Sequence, residues 1–343
     1  MLLSSRISPH SAVHTATPGR MRTPGRIRTA GRPRTAVPGR VRAVAAVALL
    51  SAALAVAGCG SSNPSSTGSA PTGGASAGSV PKGSGPVNVL YAGSLVDLME
   101  KQIGPAFTTA TGYKFTGFSA GSTALATQIK GKVHPGDVFI SASPTVNTSL
   151  EGAANGNWVS WYATYASSPL VIGYNAGSKF AADLKSKPWY QVVTEPGFKL
   201  GTTDPATDPK GKLAAQAMTT AATSENLPAL KAVAANKSTV FPEETLVGRL
   251  QSGQLDAGFF YSSEAVAANI PTVPVTGQDL KATYTVTVLN QAPDQAGAEA
   301  FVGYLLGPDG LKVLKQDGFN LVTPPTVTGS GVPASLSGVL SGQ

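Results

Sequence analysis

From Val87 onward the chain alternates short apolar runs with longer amphipathic stretches, and this alternation narrows its architecture more than any other feature. Runs such as 170–174 and 257–261 are apolar at nearly consecutive positions, which suits strands buried on both faces in a sheet covered by helices. The pattern predicts strands over 87–91, 113–118, 137–141, 170–174, 199–202, 257–261 and 284–289. It predicts helices over 95–110, 123–130, 210–222, 227–235, 243–252, 296–306 and 310–316, with Phe301, Tyr304 and Leu305 in the core. An α/β protein follows. The stretch from Val87 to Pro325 is long enough for one large or two modest domains.

Two strand-to-helix junctions combine small residues with a hydroxyl: Ala92-Gly93-Ser94-Leu95 and Ala120-Gly121-Ser122-Thr123. A helix start offers unpaired N–H groups and partial positive charge, and glycine lets an anion approach the backbone. Plain N-capping explains one such serine; two at the same topological position favour an oxyanion seat. The turn Thr203-Asp204-Pro205-Ala206-Thr207-Asp208-Pro209-Lys210-Gly211 leads into a helix, with Asp208 as N-cap and proline at the first helical position. Glu243 and Glu244 open the next helix, where carboxylates suit the dipole. Tyr261 ends a strand before a serine-capped helix, and its phenol is able to donate to an anion.

The net charge of +8 invites a nucleic-acid reading, but its location removes it. Nine arginines precede residue 45 with no acidic residue among them, leaving 17 of the 26 basic residues against all 18 acidic ones, a net −1. Arg249 is the one arginine of this later part, so no cluster of guanidinium groups is available to follow a phosphate backbone.

The arginines are followed by the apolar stretch 43–57 and then Gly58-Cys59. At 15 residues it is short for a membrane span, which needs about 20, and it has the form of a signal peptide. Val56-Ala57-Gly58-Cys59 resembles the bacterial lipobox, which implies cleavage before Cys59 and a diacylglycerol on its thiol. Translation from Met21 would restore a conventional basic n-region. The expected organisation is a leader and signal peptide over 1–58, and a lipidated Cys59 with a flexible Ser/Gly/Pro linker over 59–86. A loosely ordered tail is expected over 326–343. Cys59 is the only cysteine, so no intrachain disulfide and no thiolate cluster can form.

AGSL, FSAGSTALATQI, GDVFISAS, SSPLVIGYN, the DPxxDPxG turn, SGQLDAGFFYSSEA and AEAFVGYLLGPDGLKVLKQDGF follow one another from about Val87 to Phe319. This ordered set resembles the molybdate and tungstate receptors of ABC importers. The resemblance implies a type II periplasmic-binding-protein fold: two α/β lobes joined by two crossings, with 87–168 plus 282–325 in lobe 1 and 169–281 in lobe 2. It further implies a lipid-anchored monomer on the outer face of the cytoplasmic membrane that delivers its anion to permease subunits.

Carried over by position, Ser94 and Ser122 match the family serines that donate to the oxyanion, and Tyr261 matches the tyrosine donor. Asp208 and Glu243 match carboxylates that approach the metal of the oxyanion in the tungstate branch, with Glu244 as the alternative to Glu243. They are metal ligands in that sense alone, the bound molybdate or tungstate being cargo with no cofactor implied. Lys210 stands where the family usually has a small residue; its N–H remains a donor, and a charged side chain at the rim departs from the family pattern. Two carboxylates beside a dianion repel it by several kcal/mol at low dielectric, so they fit a metal centre able to add ligands. Outward-facing carboxylates would instead fit a sulfate-like receptor, and a phosphate receptor would use a carboxylate to accept a proton from the monoanion.

An enzyme reading has little to use. His134 is the one histidine after the leader, no GxSxG elbow accompanies it for a Ser-His-Asp hydrolase, and it is expected in a surface loop. No HExxH or clustered His/Cys motif occurs.

Overall fold

A computed structural model describes residues 81–342; the expected signal peptide, the expected lipidation site at Cys59 and most of the expected linker lie outside the described residues. Among the described residues nine strands form the framework: β1 (Pro86–Ala92), β2 (Lys114–Ala120), β3 (Val138–Ser141), β4 (Trp161–Tyr174), β5 (Leu200–Gly201), β6 (Ala257–Tyr261), β7 (Thr272–Pro274), β8 (Lys281–Val288) and β9 (Asn320–Gly329).

The order β2-β1-β3-β8-β4 builds the first lobe, with β1 parallel to β2 and β3, and β9 along the other edge of β4. The central strands β1, β3, β6 and β8 are buried on both faces, whereas β2, β7 and β9 are partly exposed. Val89 and Tyr91 of β1 join the large core, whereas Leu90 between them packs with Leu125, Ile129 and Phe139 on the opposite side. The second lobe is built on β5, β6, β7 and the far half of β4. β4 is therefore the shared strand: residues 163–169 pair with β8, and 170–174 pair with β6. The chain crosses back between β7 and β8.

The predicted helix over 95–110 is a succession of turns from Gly93 to Thr111, with a π-helical segment at Met99–Ile103 ahead of Gly104-Pro105. Proline lacks an N–H and its ring crowds the carbonyl four residues earlier, so a wider turn there relieves the clash.

Two expectations require correction. The tail over 326–343 is not loose: β9 continues to Gly329, and the Ser337–Ser341 helix follows with Leu336 and Leu340 buried. Its few apolar side chains are spaced to dock on the first lobe, which outweighs a polar composition. The linker over 59–86 also ends earlier than expected, because Gly83 donates to the Thr111 carbonyl (3.0 Å) and Pro86 already starts β1.

Candidate functional site

The two serine junctions lie side by side because Ala92 and Ala120, the last residues of β1 and β2, are register partners in neighbouring parallel strands. Opposite them, the second lobe presents the ends of β5 and β6. The segment after β5 is held by Thr202, whose N–H donates to Thr239 (2.8 Å) and whose carbonyl accepts from Phe241 (2.9 Å). That short ladder brings the turn carrying Asp208 beside the turn carrying Glu243. Strand carboxyl ends from both lobes thus converge, the usual location of ligands in open α/β sheets.

Contact across the cleft is close. The Ala124 N–H donates to the Thr207 carbonyl at 3.0 Å. A Cβ on Gly121 would stand 2.6 Å from the Thr207 carbonyl oxygen and 2.9 Å from Asp208 Cβ. One on Gly93 would stand 2.8 Å from Glu243 Oε2. Each glycine is therefore the surface on which one carboxylate rests.

Neither serine spends its side chain on a helix cap. Ser122 Oγ accepts from the Ala142 N–H at 3.1 Å, and Ser94 Oγ lies 3.1 Å from the Tyr284 phenol. Asp208 caps the Pro209–Ser224 helix through Oδ1, which accepts from the Lys210 N–H at 2.9 Å; its Oδ2 has no hydrogen-bond partner. Glu243 begins a 3₁₀ turn but caps nothing, and both its oxygens lack hydrogen bonds. These two carboxylates are 2% and 3% exposed, so the unmet acceptors are buried ones. The hydroxyls of Thr202, Thr203 and Tyr261 are likewise buried and unpaired. Such a concentration of unsatisfied polar atoms marks a place built for a partner. Asp208, Glu243 and Thr203 line a cavity of about 300 Å³ between the lobes, together with Gly121 and Ala124 of the first lobe. Glu244 is exposed at its edge.

Lys210 departs from expectation. Its side chain is not at the rim but fully buried, with Nζ donating to both Glu264 oxygens at 3.0 and 2.8 Å and lying 3.3 Å from Glu243 Oε1. Burial opposes its charge, but Glu264, Glu243 and Asp208 outweigh burial and hold its pKa above the usual lysine range. Burial raises Glu243 well above the ordinary carboxylate range, with Asp208 adding to the rise and Lys210 opposing it. Burial likewise raises Asp208 and Glu264, again opposed chiefly by Lys210.

The structure thus brings Asp208 and Glu243 to one interlobe cavity, with Gly121 at its wall and Glu244 on its exposed edge. Ser94, Ser122, Lys210 and Tyr261 are buried behind that lining and do not reach it. Glu264 and Tyr284 are participants that sequence reasoning missed. Glu264 stands three residues after Tyr261, a capping-box spacing, and its Oε2 accepts from the Tyr261 N–H at 3.3 Å. Tyr284 carries no local signal. His134 sits in its loop against the Phe118 ring, 3.8 Å between centroids.

Two α/β lobes sharing a two-stranded crossing, with a polar cleft between strand ends, have the architecture of a binding protein for a small solute. The family model for bacterial extracellular solute-binding proteins matches residues 87–320, and the chain belongs to that family. A putative ABC transporter molybdenum-binding protein of Haloferax volcanii is 29% identical over 228 residues, covering 66% of this chain and 68% of that protein. The molybdate/tungstate-binding protein WtpA of Thermococcus kodakarensis is 26% identical over 236 residues, covering 54% of this chain and 66% of its own length. The fold matches the Azotobacter vinelandii periplasmic molybdate-binding protein with a TM-score of 0.55 at 22% identity, over 69% of this chain and 99% of that one.

Proposed function

We propose that the protein captures molybdate or tungstate between its lobes and delivers it, without chemical turnover, to the permease of an ABC importer. The observation that carries this reading is the pair Asp208 and Glu243, buried beside the serine junctions, with Asp208 Oδ2 and both Glu243 oxygens lacking a hydrogen bond among the described residues and only Glu243 Oε1 near a cation, Lys210 Nζ at 3.3 Å. In a sulfate receptor those acceptors would face the negative oxygens of a ligand with no proton to donate and a central atom that accepts no further bond, and a phosphate could meet them only through its own P–OH protons. Mo(VI) and W(VI) can expand their coordination, and a carboxylate is a suitable hard ligand for them. The serine hydroxyls and the Tyr261 phenol then serve the oxo groups as donors. The names of the Haloferax and Thermococcus relatives support the same ligand class.

Calorimetric titration of the purified protein with molybdate, tungstate, sulfate and phosphate tests this. Saturable binding is expected for the first two, with a stabilisation of about 2.7 kcal/mol at a hundredfold excess over Kd. A protein indifferent to both would refute the reading.

We further propose that Cys59 carries the lipid that holds the protein to the outer face of the cytoplasmic membrane. Among the described residues no helix is long and apolar enough to cross a membrane. Cys59→Ala is expected to release the protein from the membrane fraction into the medium; retention of the variant at the membrane would contradict lipid anchoring.

A further inference from the structure

Whether a serine can serve an anion depends on where its one hydroxyl proton points. For Ser122 the direction is settled by its neighbour: the Ala142 N–H can only donate, so Ser122 Oγ accepts and its proton is left for another acceptor. For Ser94 the neighbour is a phenol 3.1 Å away, and either oxygen is able to donate. The two arrangements are not equivalent. If Ser94 donated to Tyr284, the phenol proton would be the loose one, in a side chain that is 0% exposed and packed between the rings of Tyr261 (centroids 6.0 Å) and Phe319 (5.3 Å). An unmet donor buried among rings is costly. If Tyr284 donates, the loose proton belongs to Ser94, the neighbour of Gly93, against which the Glu243 side chain packs.

We infer that Tyr284 is a positioning residue for the bound oxyanion: its phenol donates to Ser94 Oγ from behind and thereby aims the Ser94 hydroxyl proton into the cleft. This rests on the oxyanion reading of the site. Both serines then share one design, each held from the rear by a donor on the first lobe, Ala142 just after β3 and Tyr284 on the adjacent strand β8. Burial keeps the Tyr284 phenol well above its ordinary pKa, with the Ser94 hydrogen bond opposing the rise and Glu243 and Glu264 adding to it, so it retains the proton it donates. The ring packing fixes its place: Tyr284 touches Tyr165 and Phe319 as well as Tyr261 of the second lobe.

Tyr284→Phe removes the donor and keeps the ring, so folding is preserved. Titrated with sodium molybdate, the full-length variant is expected to bind about five- to tenfold more weakly than wild type, the value of one lost hydrogen bond. Ser94→Ala should weaken binding by itself, and adding Tyr284→Phe to it should change nothing further, because no serine proton remains to be aimed. Unchanged affinity in Tyr284→Phe overturns the inference. So does an equal loss in the presence and absence of Ser94, which would mean that Tyr284 acts on the fold or the ligand by another route. A wild-type protein that binds neither molybdate nor tungstate would instead overturn the proposed function, an outcome visible before any variant is compared.

Discussion

Lys210→Met is expected to cost about 3–5 kcal/mol of stability near neutral pH, because it leaves a buried negative cluster without its cation. Among the described residues Nζ is the one hydrogen-bond donor to the Glu264 side chain besides the Tyr261 N–H, and it is the one cation within 4.0 Å of Glu243, at 3.3 Å. Methionine fills the space but supplies neither. Thermal denaturation reads the loss as a fall of about 10 °C, since each kcal/mol shifts the melting point by a few degrees in a domain of this size. The cost should also depend on pH. Without Lys210, Glu264 and Glu243 would have folded-state pKa values raised further above their unfolded ones, so the folded variant binds more protons than the unfolded chain. Stability then declines as pH rises from about 5 towards 8, and the penalty is smallest at the acid end of that window. Glu264→Gln in the same chain should recover much of the loss, because it removes the charge left unpaired and keeps an acceptor for Tyr261. A loss below about 1 kcal/mol for Lys210→Met would show that the cluster is solvated and not a buried ion pair.

How much of this arrangement could be read from the sequence depended on how local its cause was. β1, β3, β6 and β8 were legible because strands covered on both faces are apolar runs bounded by turns, and their ends fall within a few residues of expectation. The first half of β4 was not. Its segment Trp161-Tyr162-Ala163-Thr164-Tyr165-Ala166-Ser167-Ser168-Pro169 mixes aromatic with small polar residues and ends in a turn-like Ser-Ser-Pro, because it must pass from one lobe to the other. β9 was hidden by Pro324 and Pro325, which are tolerated on a strand that pairs along one edge only. In the site, Ser94, Ser122, Asp208, Glu243 and Tyr261 stood out because each lies at the end of a strand or the start of a helix. Glu264 and Tyr284 matter through partners 54 and 190 residues away, Lys210 and Ser94, and no local pattern records such a pairing. The same blindness placed Lys210 at the rim: a lysine in a turn reads as exposed until its buried partner is known.

Converting both cleft carboxylates to amides, Asp208→Asn with Glu243→Gln, is expected to exchange one ligand class for another. Asparagine caps a helix as well as aspartate does, and its side-chain oxygen can still accept from the Lys210 N–H, so the Pro209–Ser224 helix should persist. The electrostatic change is large. A unit charge 4 Å from another contributes about 4 kcal/mol at an effective dielectric constant near 20, and a dianion doubles it. Lys210 already offsets part of this field, and burial holds both carboxyl groups above their usual pKa, so the realised effect is a fraction of that sum. Even so, sulfate should gain at least about a hundredfold in affinity, equal to about 2.7 kcal/mol. Molybdate and tungstate should lose affinity, because amides are poor ligands for a hard, high-valent centre. Competition calorimetry with the two anion classes separates the outcomes. If the double variant binds molybdate as tightly as wild type and sulfate no better, Asp208 and Glu243 do not reach the ligand. Selection would then rest on the serines, Tyr261 and the closeness of the two glycines, which set only the size of the space.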